Sequence, residues 1–203
     1  VDLGVLRLAT LSTGATLEGP KPLRKLLKSL RRVSKQLSRT VKGSANRAKA
    51  RARLARLHYR SACQRADSVH KLTTDLVRRF GTVVIEDLHV KGMVRNHHLA
   101  RAISDMGFGL FRQLLTYKAE RAGVTLVVAD RWFPSSKTCH QCGSLHETLT
   151  LRDRVFQCGV CGLTCDRDLN AAINLSTLPT AGGEVMPVDI AALTLSPGKR
   201  ETA

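Results

Sequence analysis

The sequence has 203 residues, room for one substantial core plus a small appended module, and carries 33 Lys and Arg against 16 Asp and Glu for a formal net charge of +17. The excess sits in one block: residues 20–80 hold 19 of the basic residues with Asp67 and Asp75 as the only acids, and the remainder carries 14 of each sign. No apolar run approaches the ~18 residues that a membrane span needs, so the block does not flank a transmembrane helix, and its density predicts a polyanionic partner, DNA or RNA backbone, over a merely solvated helical face.

Residues 1–17, VDLGVLRLATLSTGATL, alternate short apolar runs with Gly4 and Gly14 and predict two or three strands of a meander, with Asp2 on the first. A strand opening at residue one has little to hold its start, and with no initiator Met the chain reads as a piece of a longer protein.

Residues 20–80 are helical by period. Leu23, Leu26, Leu27, Leu30, Val33 and Leu37 recur at threes and fours, Gly43 and Ser44 interrupt, and a second apolar stripe runs from Leu54 to Val77. The pattern predicts an antiparallel helical pair whose stripe packs and whose basic face remains free for phosphates.

GTVVIEDL, residues 81–88, is a β-branched run suited to a buried strand that ends in two carboxylates, Glu86 and Asp87. Side chains alternate along a strand, so only one of the two can join a given site. HVKGMVRNHH, residues 89–98, predicts a polar surface loop, its histidines lacking any metal-ligand spacing. Residues 99–122 read as a helix with a bend or close packing at Gly107 and Gly109; VTLVVAD then makes a second buried strand finishing at Asp130.

Two Cys-x-x-Cys pairs follow, Cys139 with Cys142 and Cys158 with Cys161, separated by fifteen residues. That spacing predicts a zinc ribbon, two knuckles offering four thiolates to one tetrahedral ion. Gly143 and Gly162 each follow a knuckle directly, where positive φ lets the chain turn beneath the metal. Paired disulfides are the other reading of four cysteines. Nothing near Val1 resembles a secretory leader, however, and a cytoplasmic location would keep the thiols reduced. Cys165 could compete as a ligand or serve as a small buried side chain; Cys63, without a partner pair, reads as structural.

DRDLNAAINL opens the last predicted helix, from Asp166 as N-cap to about Leu178. Asp168 falls in the first turn, where the helix dipole favours a carboxylate; capping alone would account for both aspartates. The tail beyond Pro179 has no sustained period and predicts poor order. Asp2, Glu86 and Asp168 lie far apart in sequence, and an α/β sheet permits them to converge at one end. Convergent carboxylates hold hard cations such as Mg²⁺, which can activate water at a phosphodiester.

VDLGV, VVIEDL, RWFPSSKTCHQCG and FQCGVCGLTCDRDLNAAINL, in that order, resemble the carboxy-terminal half of TnpB proteins, transposon-encoded RNA-guided nucleases long described as transposases. The resemblance spans about residues 1–178. It implies an RNase H-like (RuvC-type) mixed α/β sheet with a helical insertion and an inserted zinc ribbon: a nuclease core at residues 1–130 with the basic insertion at 20–80, the ribbon at 131–165, a final helix at 166–178 and a tail at 179–203. It further implies catalytic residues Asp2, Glu86 rather than Asp87, and Asp168 rather than Asp166, with Asp130 outside the triad. The cofactors implied are structural Zn²⁺ on Cys139, Cys142, Cys158 and Cys161 and catalytic Mg²⁺, and the partners are DNA and a guide RNA. The amino-terminal lobe that grips guide RNA in such relatives has no counterpart in these residues. A zinc-containing DNA- or RNA-binding protein without catalysis is the competing expectation.

Overall fold

A computed structural model describes residues 1–150 and 152–178. The predicted tail at 179–203 lies outside the described residues. The chain opens with the short antiparallel pair β1 (Ala9–Thr10) and β2 (Thr16–Leu17). Asp2 forms a bridge with Thr10, each backbone nitrogen donating to the other's carbonyl at 2.9 Å. The meander is therefore shorter than its alternation predicts, two-residue strands plus one bridge.

Helices α1 (Pro22–Arg39) and α2 (Ala45–Arg79) form the predicted hairpin, broken at residues 40–44. Ser44 caps α2, accepting from the Arg47 amide at 3.2 Å. α1 has no side-chain cap of its own. Asp105, a buried residue 82 positions downstream of Leu23, accepts from the amides of Leu23 at 2.8 Å and Arg24 at 3.0 Å. A 35-residue helix is about 52 Å long, and the buried face of α2 gathers at its carboxyl end as Val69, Leu72, Thr73 and Leu76. The rest of α2 carries most of its basic side chains in solvent. Cys63, read from the sequence as structural, is exposed there, on a part of α2 that lies beyond the main core.

The central sheet pairs β3 (Thr82–Glu86) in parallel with β4 (Thr125–Ala129), Glu86 opposite Ala129. Between them run α3 (Val90–Met93), α4 (Ala100–Met106) and α5 (Phe108–Ala122). The predicted loop after β3 thus contains one helical turn, too short to show a period. The predicted single helix is two, parted at Gly107 with φ +72°, where a Cβ would meet the Arg65 side chain at 2.8 Å. The backbone nitrogen of Val1 lies 2.7 Å from the Val84 carbonyl oxygen, which sets the start of the chain beside β3.

The main core joins Leu8, Leu11, Val69, Leu72, Leu76, Ile85, Met106, Phe111 and Leu115. The carboxyl end of the fold is the hairpin β5 (Val155–Gln157) and β6 (Thr164–Asp166), followed at once by α6 (Arg167–Ser176), whose Leu175 packs with Val84 and Ala129 against the central sheet. The whole is mixed α/β. Among the described residues no helix is long and apolar enough to cross a membrane.

Candidate active site and metal centre

The four predicted cysteines converge. The Sγ atoms of Cys139, Cys142, Cys158 and Cys161 all lie within 4.8 Å of one another, with Cys139 to Cys161 and Cys142 to Cys158 at 3.6 Å. A tetrahedral thiolate site with metal–sulfur bonds of about 2.3 Å has edges of roughly 3.8 Å, so the set fits one ion, and the separations are too long for disulfides. Each knuckle is a turn closed by its glycine: the Gly143 amide donates to the Cys139 carbonyl at 2.9 Å and Gly162 to Cys158 at 3.1 Å, with φ of +73° and +74°. The Cys161 amide and the Ser144 hydroxyl, both directed at Cys158 Sγ, bring that thiol down to about 5, a thiolate ready for a cation. Cys165 stands outside the set, packed with Phe156, Leu149 and Leu163 beneath the hairpin.

The carboxylates sort by neighbour. Asp87 turns to Arg112 and Arg131, whose hydrogen bonds hold it below the usual carboxylate range against a burial that would raise it. Asp166 caps α6, accepting from the amides of Asp168 at 2.9 Å and Leu169 at 3.2 Å, and pairs with Arg7 at 2.8 Å. Asp130 accepts from the Trp132 amide at 2.7 Å and closes the turn after β4. All three are thereby committed.

Asp2, Glu86 and Asp168 are brought together. Burial first, then the negative charges of Glu86 and Asp168, push Asp2 up to about 7, although the amino terminus and Arg167 pull the other way. The charges of Glu86 and Asp168 both act on Asp2, so the two acids lie on its side of the fold. Each comes from a different element: Asp2 from its bridge to Thr10, Glu86 from the last residue of β3, Asp168 from the first turn of α6. Ser135 Oγ donates to Glu86 Oε1 at 2.6 Å and fixes that carboxylate; Asp168 pairs with its neighbour Arg167 at 3.4 Å. Carboxylates gathered in this way are hard oxygen donors of the kind that divalent cations take as ligands.

Residues 1–97 match the family described as "Probable transposase", and residues 108–175 match a "Cas12f1-like, TNB domain". A protein of Streptomyces pristinaespiralis named "Putative RNA-guided DNA endonuclease" is 48% identical over 175 residues, covering 86% of this chain and 43% of the relative. A Mycobacterium tuberculosis protein of the same description is 43% identical over 202 residues, covering 94% of this chain and 44% of its own length. The "TnpB-like protein L79" of Acanthamoeba polyphaga mimivirus is 28% identical over 128 residues, 60% of this chain and 24% of its own. The chain belongs to the TnpB family.

A solved structure, "Cryo-EM structure of the Cas12f1-sgRNA-target DNA complex", shares the fold of this TnpB chain with a TM-score of 0.62 at 17% identity, over 87% of this chain and 48% of the other. The chain thus spans less than half the length of the first relatives it matches.

Sequence reasoning missed the residues that lock the TnpB ribbon to α6. Asn170 and Asn174, both buried, sit one turn apart on α6 and donate to the Thr138 carbonyl at 2.7 and 2.6 Å. Asn174 also donates to the Ser135 carbonyl at 2.7 Å, while Asn170 Oδ1 accepts from the His140 amide at 3.1 Å and approaches His140 Nδ1 at 2.9 Å. The signal was available: two asparagines at i and i+4 in a run of buried alanines are polar groups on a core face, and a buried amide must find a partner.

Proposed function

We propose that this chain is the nuclease-bearing half of a transposon-encoded, RNA-guided DNA endonuclease, an RNase H-like (RuvC-type) domain that hydrolyses DNA phosphodiesters by a two-metal mechanism. The observation that carries the reading is that Asp2, itself largely buried, feels the charges of Glu86 and Asp168, two carboxylates from distant parts of the chain. The names of the relatives and the fold of the Cas12f1 neighbour support it.

In this reading residues 1–130 form the core, 20–80 its basic insertion, 131–165 the ribbon and 166–178 the closing helix. Asp2, Glu86 and Asp168 hold the catalytic divalent cations, Mg²⁺ by chemistry, and Cys139, Cys142, Cys158 and Cys161 hold structural Zn²⁺. Bound there, the divalent ions supply an activated water and charge to stabilise the leaving oxygen.

The chain's own residues do the positioning. Ser135 holds the Glu86 carboxylate in one orientation, and the Asp2–Thr10 bridge keeps the first acid from drifting with the chain end. α6 carries Asp168 as a rigid lever whose fulcrum is the asparagine lock on residues 135–140. Orientation of this kind, fixed before substrate arrives, is what lowers a barrier. The Lys- and Arg-rich faces of α1 and α2 hold nucleic-acid backbones, with sequence read by guide-to-target pairing.

The test is guided cleavage by the full-length protein in Mg²⁺. Asp168→Ala and Glu86→Gln are expected to lower cleavage by on the order of a hundred- to a thousandfold with DNA binding retained. Salt-sensitive binding without cleavage by the wild type would replace the nuclease by the zinc-containing binder.

A further inference from the structure

One large aromatic side chain stands unused just beyond the strand end that pairs with Glu86. Trp132 is 84% exposed, more than any other large hydrophobic side chain among the described residues. Its neighbour Phe133 turns inward and packs against Val84, Ala129 and Leu175. The loop therefore has an apolar pocket within one residue's reach and still presents its indole to water, forgoing the stabilisation that burial would give.

The backbone beneath it is anchored. The Trp132 amide donates to Asp130 Oδ1 at 2.7 Å and the Phe133 amide to the Asp130 carbonyl at 3.1 Å. Arg131 is paired with Asp87, and Ser135 reaches Glu86 Oε1 at 2.6 Å. Ala129, three residues before Trp132, is the sheet partner of Glu86. The segment that bears Trp132 thus leaves the carboxyl edge of the parallel strands, where α/β sheets receive ligands, and is pinned at its far end to Glu86.

An exposed indole on an anchored backbone is a stacking surface. Unpaired nucleobases offer a free π-face, whereas a duplex hides its faces inside the stack. The carboxylate cluster has no means of its own to fix which phosphodiester lies over it, because phosphates repeat identically along a strand. A stacked base supplies that register. We propose that Trp132 is a base-stacking contact for single-stranded DNA, holding one unpaired nucleobase so that a neighbouring phosphodiester lies at Asp2, Glu86 and Asp168. The substrate it serves rests on the nuclease reading of that cluster.

Trp132 is the chain's single tryptophan, so its emission reports this position alone. The experiment titrates the 203-residue chain, zinc-loaded and in buffer without Mg²⁺, with three probes of equal length: a single-stranded oligonucleotide, the same backbone made abasic, and a duplex. Indole emission and, separately, anisotropy of dye-labelled probes are followed. The single strand is expected to quench the indole saturably, and the abasic strand to bind without quenching. Trp132→Ala should weaken single-strand binding about tenfold and Trp132→Phe about two- to threefold, with abasic and duplex affinities unchanged.

The proposal is overturned if Trp132→Ala binds the single strand as the wild type does, if anisotropy saturates with no change in emission, or if no probe binds. It is equally overturned if the indole of the DNA-free protein is blue-shifted and shielded from acrylamide, since protein would then cover it. Normal quenching by a full-length wild type that never cleaves would overturn the nuclease reading and leave the stacking contact standing.

Discussion

Asp2 is a carboxylate at odds with its surroundings. Its pKa of about 7 exceeds the ordinary 3.8 because burial and two neighbouring acids disfavour the charge. A raised acid binds its proton more tightly in the folded state. Its contribution to stability is therefore fully present below about pH 4 and lost as pH rises through about 7, worth roughly 2–4 kcal/mol after allowing for its partial exposure. Thermal melts of the Mg²⁺-free protein should show stability falling from pH 5 to pH 8, and Asp2→Asn should flatten that slope and stabilise the fold at pH 8. A divalent cation between the carboxylates offsets their repulsion, so millimolar Mg²⁺ should flatten the wild-type slope as well. Asp105 is the opposite case, a buried acid satisfied by two amides at the start of α1 and by Arg65 at 3.9 Å. Asp105→Ala orphans those amides and leaves Arg65 partly buried without its partner. It should cost about 2–4 kcal/mol in denaturant unfolding, with loosening concentrated in α1.

At the level of elements, the ribbon and α6 act as one part. Removing the ion from Cys139, Cys142, Cys158 and Cys161 leaves thiolates that repel, and the loop 135–140 is the same segment that Asn170 and Asn174 grip and that Ser135 uses to hold Glu86. Chelation should therefore lower cleavage even in excess Mg²⁺, and hydrogen exchange should rise in residues 135–142 and in α6 together. Asn174→Ala, which frees the Ser135 and Thr138 carbonyls, should reproduce part of this with the four cysteines intact, lowering stability by about 1–3 kcal/mol. Ser135→Ala removes only the hydroxyl from Glu86 and should weaken divalent-ion binding with little change in the melt. Activity that survives full chelation would mean that ribbon and acids are uncoupled.

Across the whole molecule, what the sequence made legible follows the range of the interactions. The knuckles could be read outright because ligand spacing is local, and the α1–α2 hairpin because its apolar period runs for many turns. Asp166 as a cap was equally plain. The triad was not readable from residues: nothing local in VDLGV says that residue 2 meets residue 168, and only the family resemblance selected Glu86 over Asp87. The structure supplies a physical ground for that selection, since Arg112 and Arg131 already occupy Asp87 while Ser135 alone engages Glu86. The asparagine lock escaped notice because its partners, at residues 135–140, lie thirty or more positions away, beyond the reach of any local pattern. Residues 45–66 of α2 carry seven basic side chains and no acid, so charge-reversing pairs such as Arg53→Glu with Arg56→Glu should flatten the salt dependence of DNA binding and leave the fold intact.

Calorimetric titration with Mn²⁺ goes to the centre of the matter, because everything proposed requires that Asp2, Glu86 and Asp168 share cations. The wild type should bind Mn²⁺ at a saturable site near pH 8, and Asp168→Ala, zinc-loaded and folded, should lose that binding at least about tenfold, the loss of one charged ligand. Equal Mn²⁺ binding by the two proteins would contradict the account.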